Sequence, residues 1–265
     1  MKKFSLFLLI FLSACASTKQ AVNINMAPEA VADGKLFAAL FQQKAAEYRA
    51  LCLQSYQLAR LRLDQELLQP SSKPKAIITD IDETILDNSP YAVHQALQGK
   101  DYDQNTWYQW TARADADTVP GASAFLHYAS TKGVAVFYIT NRDEKERQPT
   151  LENLRRYQLP DTDNEHLFPK QNSSSKESRR QQVMSAYQVV LLLGDNLADF
   201  SNQFDKKTTD ERTRNVDLIS HLFGSRYIVL PNPGYGDWES SLYQYNYSLT
   251  LKQKDSIIRT VLKSY

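Results

Sequence analysis

The stretch 75–91, with the sequence KAIITDIDETILDNSPY, limits the fold of this chain more than any other. Its first part, 76–78, is apolar and rich in β-branched side chains, which predicts a buried strand. Acidic side chains follow directly at Asp80, Asp82 and Glu83. Because open parallel sheets bind ligands at the carboxyl ends of their strands, we expect a functional site at this turn. Two aspartates one residue apart can divide the chemistry, one attacking an electrophile and the other moving a proton.

The simplest alternative is a solvated turn, since Asp-x-Asp is common in turns and aspartate makes local hydrogen bonds there. A calcium loop of the EF-hand type is a second alternative, and the sequence excludes it. Such a loop needs glycine at its sixth position and glutamate at its twelfth. Counting from Asp80, these positions hold Ile85 and Tyr91.

A wider pattern around the two aspartates carries more information than their spacing. The apolar strand is followed by Asp80, Asp82, Glu83, Thr84 and Leu86. This combination resembles the nucleophile motif of the haloacid dehalogenase (HAD) superfamily of phosphohydrolases, and its continuation through 87–91 resembles the class C bacterial acid phosphatases. The resemblance implies an α/β fold with a HAD-like (Rossmann-like) parallel sheet flanked by helices. It also implies a metal-dependent acid phosphatase with Asp80 as nucleophile and Asp82 as general acid and base.

A second motif follows the apolar run 134–139, which predicts another buried strand. Thr140 and Asn141 come next, and by themselves they would indicate only a helix cap. Their order after Asp80 resembles the second motif of the superfamily. The resemblance implies that Thr140 binds a phosphate oxygen and that Asn141 adds a further donor.

Two basic residues are also candidates for the site. Arg142 directly follows the second motif, and its charge would serve either the phosphate or an ion pair with Glu144 or Glu146. Lys176 lies shortly before the next predicted strand. That position resembles the third motif of the family, a lysine that neutralises the phosphate and the nucleophile. Without it, Lys176 would be one of several basic residues in this part of the chain.

The apolar run 189–193 predicts a third strand, buried on both faces. Asp195 lies at its end, and Asp199 would reach the same face if a helix begins there. The alternative is a pair of acids that stabilise a helix N-terminus. Carboxylates crowded beside Asp80 and Asp82 would repel one another without a cation, and hard oxygen ligands suit Mg²⁺. The four aspartates resemble the DDDD phosphohydrolases, which implies one Mg²⁺ held by Asp80, Asp195 and the backbone carbonyl of Asp82, with Asp199 in or next to that shell.

Two aromatic residues are candidates for stacking on the leaving group. Trp110 lies in the aromatic-rich segment 101–117 and resembles aromatic positions that line the cleft of the family. Tyr235 lies in the loop 231–239, which again resembles the class C family. The alternative for both is packing within a helix or a rigid turn, and packing is our interpretation of the nearby Trp107.

The first residues have the features of a secretory signal peptide over 1–14. Two lysines precede an apolar run, 4–12, that is too short to span a bilayer as a mature helix. Its end, Leu12-Ser13-Ala14-Cys15, resembles the lipobox of bacterial lipoproteins; the alternative is an ordinary cleavage site. The resemblance implies a lipid anchor on Cys15 and a location in the bacterial cell envelope. Since Ala16 and not Asp follows the cysteine, it implies the outer membrane.

The segment 15–27 is predicted to be a flexible tether, and 28–265 to form one HAD-like phosphatase domain. The core of that domain spans about 74–232. A small helical accessory region would come from 28–70 and 240–265, because 28–70 has apolar residues at helical spacing. These residues include Phe37, Leu40, Phe41, Tyr48, Cys52, Tyr56 and Leu63.

Two further expectations concern the segments between strands. The residues from 161 to 172 are expected to form an irregular loop. The residues from 209 to 223 are expected to form a helix that carries Arg212 and Arg214 on its outer face.

The formal net charge of +1 gives no electrostatic case for binding a nucleic-acid polymer. The expected partners are small phosphate monoesters, and the family implies nucleoside 5′-monophosphates and nicotinamide mononucleotide among them, hydrolysed through an aspartyl-phosphate. Two alternatives stay open: a phosphotransferase or narrow 5′-nucleotidase, and a surface lipoprotein that binds haem or a host component. The sequence has no obvious haem-ligand motif and four histidines. The oligomeric state is open, and a homodimer is compatible with the sequence.

Overall fold

A computed structural model describes residues 30–265. The predicted signal peptide, Cys15 and the tether 15–27 lie outside the described residues. The strands are β1 (Lys75–Thr79), β2 (Leu86–Asp87), β3 (Asp117–Thr118), β4 (Ala135–Asp143), β5 (Leu167–Lys170), β6 (Gln188–Gly194) and β7 (Tyr227–Val229). Five of them form one parallel sheet in the order β5-β4-β1-β6-β7. The expected α/β fold is confirmed, and β2 and β3 add a short antiparallel ribbon.

Helices cover both faces of this sheet and form a layer beside it. They are α1 (Ala30–Lys44), α2 (Ala46–Leu67), α3 (Ser89–Ala96), α4 (Gln104–Thr111), α5 (Ala122–Thr131), α6 (Arg147–Arg156), α7 (Glu177–Ala186), α8 (Thr209–Leu218), α9 (Asp237–Ser240) and α10 (Leu251–Val261). Single 3₁₀ turns follow some of the strands and helices, and the turn Leu197–Asp199 belongs to the candidate site.

The apolar runs explain the centre of the sheet. Successive side chains of a strand point to opposite faces, so a strand buried on both faces must be apolar at every position. In β1, Ile77 joins a core with α2, α5 and α6, and Ile78 joins a second core with α7. The apolar parts of the three central strands, β4, β1 and β6, therefore reach the carboxyl end of the sheet together, where the polar motifs lie. β4 is longer than its apolar run, so Thr140 and Asn141 belong to the strand itself.

The loop expected from 161 to 172 is wrong in part, because it contains β5. This strand has four residues, pairs with β4 alone and includes Pro169, which has no N–H to donate. Proline is tolerated on the edge of a sheet. A short edge strand with a proline carries no clear periodic signal, which explains why the sequence did not indicate it.

The accessory layer is built from α1, α3 and α10, with α1 packed against the other two. Ion pairs link α1 and α10 to the segment after α3 and to α9. Lys35 pairs with Asp101 at 2.9 Å and with Glu239 at 3.2 Å, and Lys254 pairs with Asp101 at 2.5 Å. α2 is different, since its Tyr56 and other apolar residues are buried in the main core.

Their helical spacing predicts that the apolar residues of α1 and α2 pack against the rest of the protein. Some of them do not. Phe37, Leu40 and Phe41 are 73%, 52% and 38% exposed. α1 instead buries small residues such as Ala32 and Ala39, which allow the close approach of α3. Helical spacing identified the helix but not the side that packs.

The predicted helix from 209 to 223 is α8 followed by a 3₁₀ turn, and Arg212 is not on its outer face. Its guanidinium is buried, donating to Phe204 O at 3.2 Å and lying 3.5 Å from Asp237. Arg214 is exposed as expected. Among residues 30–265, no helix has both the length and the apolar character needed to cross a membrane.

Candidate active site

The turn after β1 places its acids through its backbone. Asp80 N donates to Leu193 O of β6 at 2.9 Å, which continues the sheet by one residue. Ile81 is fully buried, and its carbonyl accepts hydrogen bonds from Ile85 N and Leu86 N at 2.8 and 2.9 Å. A tight turn around a buried isoleucine therefore directs the flanking aspartates, Asp80 and Asp82, towards the edge of the sheet.

Three carboxylates meet at the ends of β1 and β6. Oxygen atoms of Asp80, Asp195 and Asp199 all lie within 4.8 Å of one another. Lys176 lies between two of them, with its Nζ bonded to Asp80 Oδ1 and 2.7 Å from Asp199 Oδ1. Gly194 makes this approach feasible, because a Cβ at that position would lie 2.5 Å from Asp199 Cβ.

Burial dominates the electrostatics of this cluster. It raises the pKa of Asp80 to about 7; Lys176 opposes the rise, and the charges of Asp199 and Asp82 add to it. Burial and the charges of Asp199 and Asp80 also raise the pKa of Asp195 well above its usual range. Three carboxyl groups share one lysine, so their negative charge is not fully compensated. Each of the three residues offers a carboxylate oxygen as a possible metal ligand. These residues therefore fit a hard divalent cation.

Asp82 lies outside this cluster and has its own partners. Its carboxylate forms an ion pair with Arg142 Nη2 at 2.8 Å and accepts hydrogen bonds from Asn88 Nδ2 at 2.9 Å and from Thr140 Oγ1 at 3.4 Å. Arg142 is buried, and its Nη1 donates to Thr150 Oγ1 at 3.1 Å. The side chain of Asp82 is thus fixed in orientation by partners other than the three clustered acids, and its charge is still felt by Asp80.

The alternative that paired Arg142 with a nearby glutamate is wrong. Glu144 pairs with Arg147, and Glu146 accepts a hydrogen bond from Thr111 Oγ1 at 2.9 Å. Both glutamates are occupied because they lie in the 3₁₀ turn that caps the following helix.

The two residues of the second motif, Thr140 and Asn141, differ in burial. Thr140 is fully buried beside Asp82, and its carbonyl accepts a hydrogen bond from Arg179 Nη1. Asn141 is exposed, and its Oδ1 accepts from Arg179 Nη2 at 2.8 Å. Arg179 therefore supports the strand end from α7, a role that sequence order alone did not indicate.

The two aromatic candidates are hydrogen-bonded to Asn88, just after β2, and to Glu83, in the turn between β1 and β2. Trp110 Nε1 donates to Asn88 Oδ1 at 2.8 Å, and the indole packs against the main core. Tyr235 donates its hydroxyl to Glu83 Oε2, and the residue is 37% exposed. Trp107 is buried, in agreement with its interpretation as packing.

Sequence reasoning gave Asn232 no role and named Thr84 only as part of the motif after β1, without a partner. Asn232 Nδ2 donates to Asp195 Oδ2 at 2.7 Å, and Thr84 Oγ1 donates to Asp195 Oδ1 at 3.3 Å. A signal for the first was present, since Asn232 lies between two prolines just after β7. A rigid turn at the end of a parallel strand is a place where a polar side chain serves a site.

This geometry can be set beside known proteins. A model of the HAD superfamily, subfamily IIIB (acid phosphatase), matches residues 7–238. The chain belongs to this family. The class C acid phosphatase of Bacillus anthracis is similar over 89% of this chain and 99% of its own, with 39% sequence identity and a TM-score of 0.86. A tungstate-bound structure of the class C acid phosphatase of that organism matches over 88% and 98%, with the same identity and TM-score.

The resemblance seen in the sequence is therefore confirmed. The protein is an acid phosphatase of the HAD superfamily, a phosphomonoesterase, and the parallel sheet with flanking helices is the fold of that class. Its buried aspartate cluster suits the metal dependence of the superfamily.

Proposed function

We propose that this acid phosphatase transfers the phosphoryl group of a monoester to Asp80 and then to water. The observation that carries the proposal is the environment of Asp80. It is buried at the carboxyl end of β1, in contact with Lys176 and grouped with Asp195 and Asp199. A buried carboxylate beside a cation is a suitable nucleophile, because the cation offsets the repulsion between two anions.

In the first step, an oxygen of Asp80 attacks phosphorus, and the bond from phosphorus to the leaving oxygen breaks. Asp82 gives a proton to that oxygen as it leaves. In the second step, Asp82 takes a proton from water, the water oxygen attacks phosphorus, and the bond to Asp80 breaks. The contacts of Asp82 with Arg142, Asn88 and Thr140 support this role by fixing its orientation.

The phosphate oxygens are bound by Thr140, Asn141 and Lys176 in this proposal. Thr140 and Lys176 support it directly, since each contacts one of the two reacting aspartates. Asn141 would contribute from the exposed rim, where its side chain is held by Arg179. Positioning and electrostatic stabilisation supply most of the catalysis in phosphoryl transfer.

The metal is Mg²⁺ in this proposal, held by Asp80, Asp195 and the backbone carbonyl of Asp82, with Asp199 in or next to that shell. When bound, it would shield the nucleophile from the charge of the phosphate and orient it. The excess of carboxylates over lysine supports a cation of this kind.

We extend the proposal to substrate and location. Small monoesters such as nucleoside 5′-monophosphates and nicotinamide mononucleotide are the substrates, stacked by Trp110 or Tyr235. A lipid on Cys15 anchors the enzyme to the outer membrane. The hydrogen bonds of Trp110 to Asn88 and of Tyr235 to Glu83, both close in sequence to the two reacting aspartates, support the first part. The sequence 12–15 supports the second.

The test is hydrolysis of 4-nitrophenyl phosphate by the protein without residues 1–15. We expect activity with Mg²⁺, loss with a chelator, and a fall of at least about 10³-fold in kcat for Asp80→Asn. Asp210→Asn, an exposed acid in the first turn of α8, is the matched control and should keep full activity. Acid-quenched protein should carry a phosphoryl group on the peptide that contains Asp80, as measured by mass spectrometry.

Two outcomes would contradict the mechanism. One is a folded Asp80→Asn protein with activity close to that of the unmodified enzyme. The other is phosphorylation on a peptide that lacks Asp80.

A further inference from the structure

Glu83 belongs to the turn 80–85 between β1 and β2, the nucleophile turn, which also carries Asp80 and Asp82, yet the mechanism above gives it no task. The residue is 1% exposed. Its backbone φ is 58°, in the left-handed region that residues other than glycine rarely adopt. A buried carboxylate in a strained turn is costly unless its contacts compensate, so its partners indicate why it is there.

Those partners belong to two segments that are far apart in sequence. Oε1 of Glu83 accepts a hydrogen bond from Asn88 N at 2.8 Å. Oε2 accepts the hydroxyl of Tyr235, which belongs to the loop after β7 and is 152 positions away in sequence. Glu83 therefore joins the nucleophile turn to a distant loop.

Asn88 extends the same connection to the other aromatic residue. Its Nδ2 donates to Asp82 Oδ1 at 2.9 Å, and its Oδ1 accepts from Trp110 Nε1 at 2.8 Å. The two aromatic residues, Tyr235 and Trp110, are thus linked to one turn through Glu83 and Asn88.

The loop that carries Tyr235 is fixed at a second point. Asn232 Oδ1 accepts from Gly234 N at 2.9 Å and from Tyr235 N at 3.3 Å, while its amide group donates to Asp195. Tyr235 as a residue remains 37% exposed although its hydroxyl is bonded. The tyrosine is therefore held at its hydroxyl and backbone, while part of its surface stays open to solvent.

We propose that Glu83 is a positioning residue that, with Asn88, holds Tyr235 and Trp110 in place and so sets which leaving groups the active site accepts. The inference rests on the proposed phosphatase mechanism and adds to it a determinant of specificity. Glu83 would not touch the phosphate; it would act through the tyrosine ring. A fixed ring gives a flat apolar wall, which favours an aromatic leaving group over a small aliphatic one.

The experiment compares two substrates, 4-nitrophenyl phosphate and glycerol 3-phosphate, with Mg²⁺ present. Tyr235→Phe removes the hydroxyl but keeps the ring. Because one hydrogen bond is lost, we expect KM for the aromatic ester to rise about 3- to 10-fold. KM for the aliphatic ester and both kcat values should change less than about 2-fold. Glu83→Gln keeps one acceptor oxygen for its two donors, so it should show the same split with a smaller rise in KM. The double variant should add little to the change seen in Tyr235→Phe.

Two controls separate this role from general damage. Tyr247→Phe changes an exposed tyrosine in the same C-terminal part of the chain and should alter neither KM. Glu165→Gln changes an exposed glutamate and should also leave both KM values unchanged. Circular dichroism and the melting temperature check that each variant is folded.

Three results would overturn the proposal. The first is an equal rise of KM for both esters. The second is a purely additive double variant. The third is a loss of kcat on both esters in folded Glu83→Gln while Tyr235→Phe is unaffected, which would place Glu83 in the chemistry itself. If Glu83→Gln does not fold, the result for Tyr235→Phe alone decides. An unmodified enzyme inactive on both esters would refute the proposed phosphatase mechanism instead, so the two failures are distinguishable.

Discussion

Two groups of acids and lysines in this protein differ in burial and in the ratio of acids to lysines. The comparison shows how these two properties set the pKa of a carboxyl group. The site group lies at the end of the sheet and contains Asp80, Asp195, Asp199 and Lys176. The accessory group lies between helices and contains Asp101, Glu239, Lys35 and Lys254. Among the described residues, the first group has three acids for one lysine, and the second has two for two.

The two groups shift acid pKa values in opposite directions. Burial raises the pKa of Asp80 to about 7, and Lys176 offsets this only in part. Burial also acts to raise the pKa of Asp101, but Lys35 and Lys254 outweigh it and hold that pKa at about 2. A balanced group satisfies its own charges. An unbalanced one retains affinity for a further cation, which is what a metal-dependent site requires.

The largest effect on stability is expected from Lys176→Met. This change leaves Asp80 and Asp199 buried without their cationic partner, and removing one member of a buried pair costs about 3–5 kcal/mol. The measurement is urea unfolding with a chelator present. Lys35→Met, the matched change in the accessory group, should cost less, since its partners are nearer to water. A cost for Lys176→Met no larger than that for Lys35→Met would remove the contrast between the groups.

Mg²⁺ should stabilise the folded protein through the site group alone. A ligand at one hundred times its Kd adds about 2.7 kcal/mol to the free energy of unfolding. The measurement is the melting temperature with and without Mg²⁺. Asp195→Asn should reduce the shift, while Asp101→Asn should leave it unchanged. A shift that survives Asp195→Asn would mean that the cation binds elsewhere.

The smallest effect concerns Asp101→Asn and depends on pH. The pKa of Asp101 is lower in the folded protein than its reference value of 3.8. Its carboxylate therefore stabilises the fold above about pH 4, and this contribution is lost as the pH falls towards 2. At pH 7 we expect the variant to lose about 1–2 kcal/mol, after allowance for solvent screening. Urea unfolding at both ends of this range measures it; an equal difference between the two proteins at pH 7 and pH 2 would contradict it.

The ends of strands are the part of this molecule that the sequence predicts well. Apolar runs locate β1, β4 and β6, and the residues after them, such as Asp80, Thr140 and Asp195, must then meet at one edge. What the runs do not indicate is the partner of each acid. Arg142 pairs with Asp82 and not with a neighbouring glutamate because the turn after β1 brings that aspartate across the site. Such a contact depends on the packed structure and not on local spacing.

The same limit explains the misassigned surfaces. Arg212 has the sequence context of an exposed helical residue, yet it is buried against the carbonyl of Phe204, in a 3₁₀ turn, and the carboxylate of Asp237, at the start of α9. Phe37 has the spacing of a core residue and is exposed, because alanines provide the packed side of α1. Periodicity predicts that a helix forms, whereas neighbours far away in sequence decide which side is covered.

Pro169 affects the way in which molecules of this protein can associate with one another at high concentration. An open sheet margin can recruit strands from other chains and grow into aggregates. Here one margin, β5, has a missing donor at Pro169, and the other, β7, is three residues long. Neither margin offers a continuous row of hydrogen-bonding groups. Strand-by-strand polymerisation is therefore disfavoured at both ends of the sheet, and any self-association of the folded protein has to use side-chain surfaces.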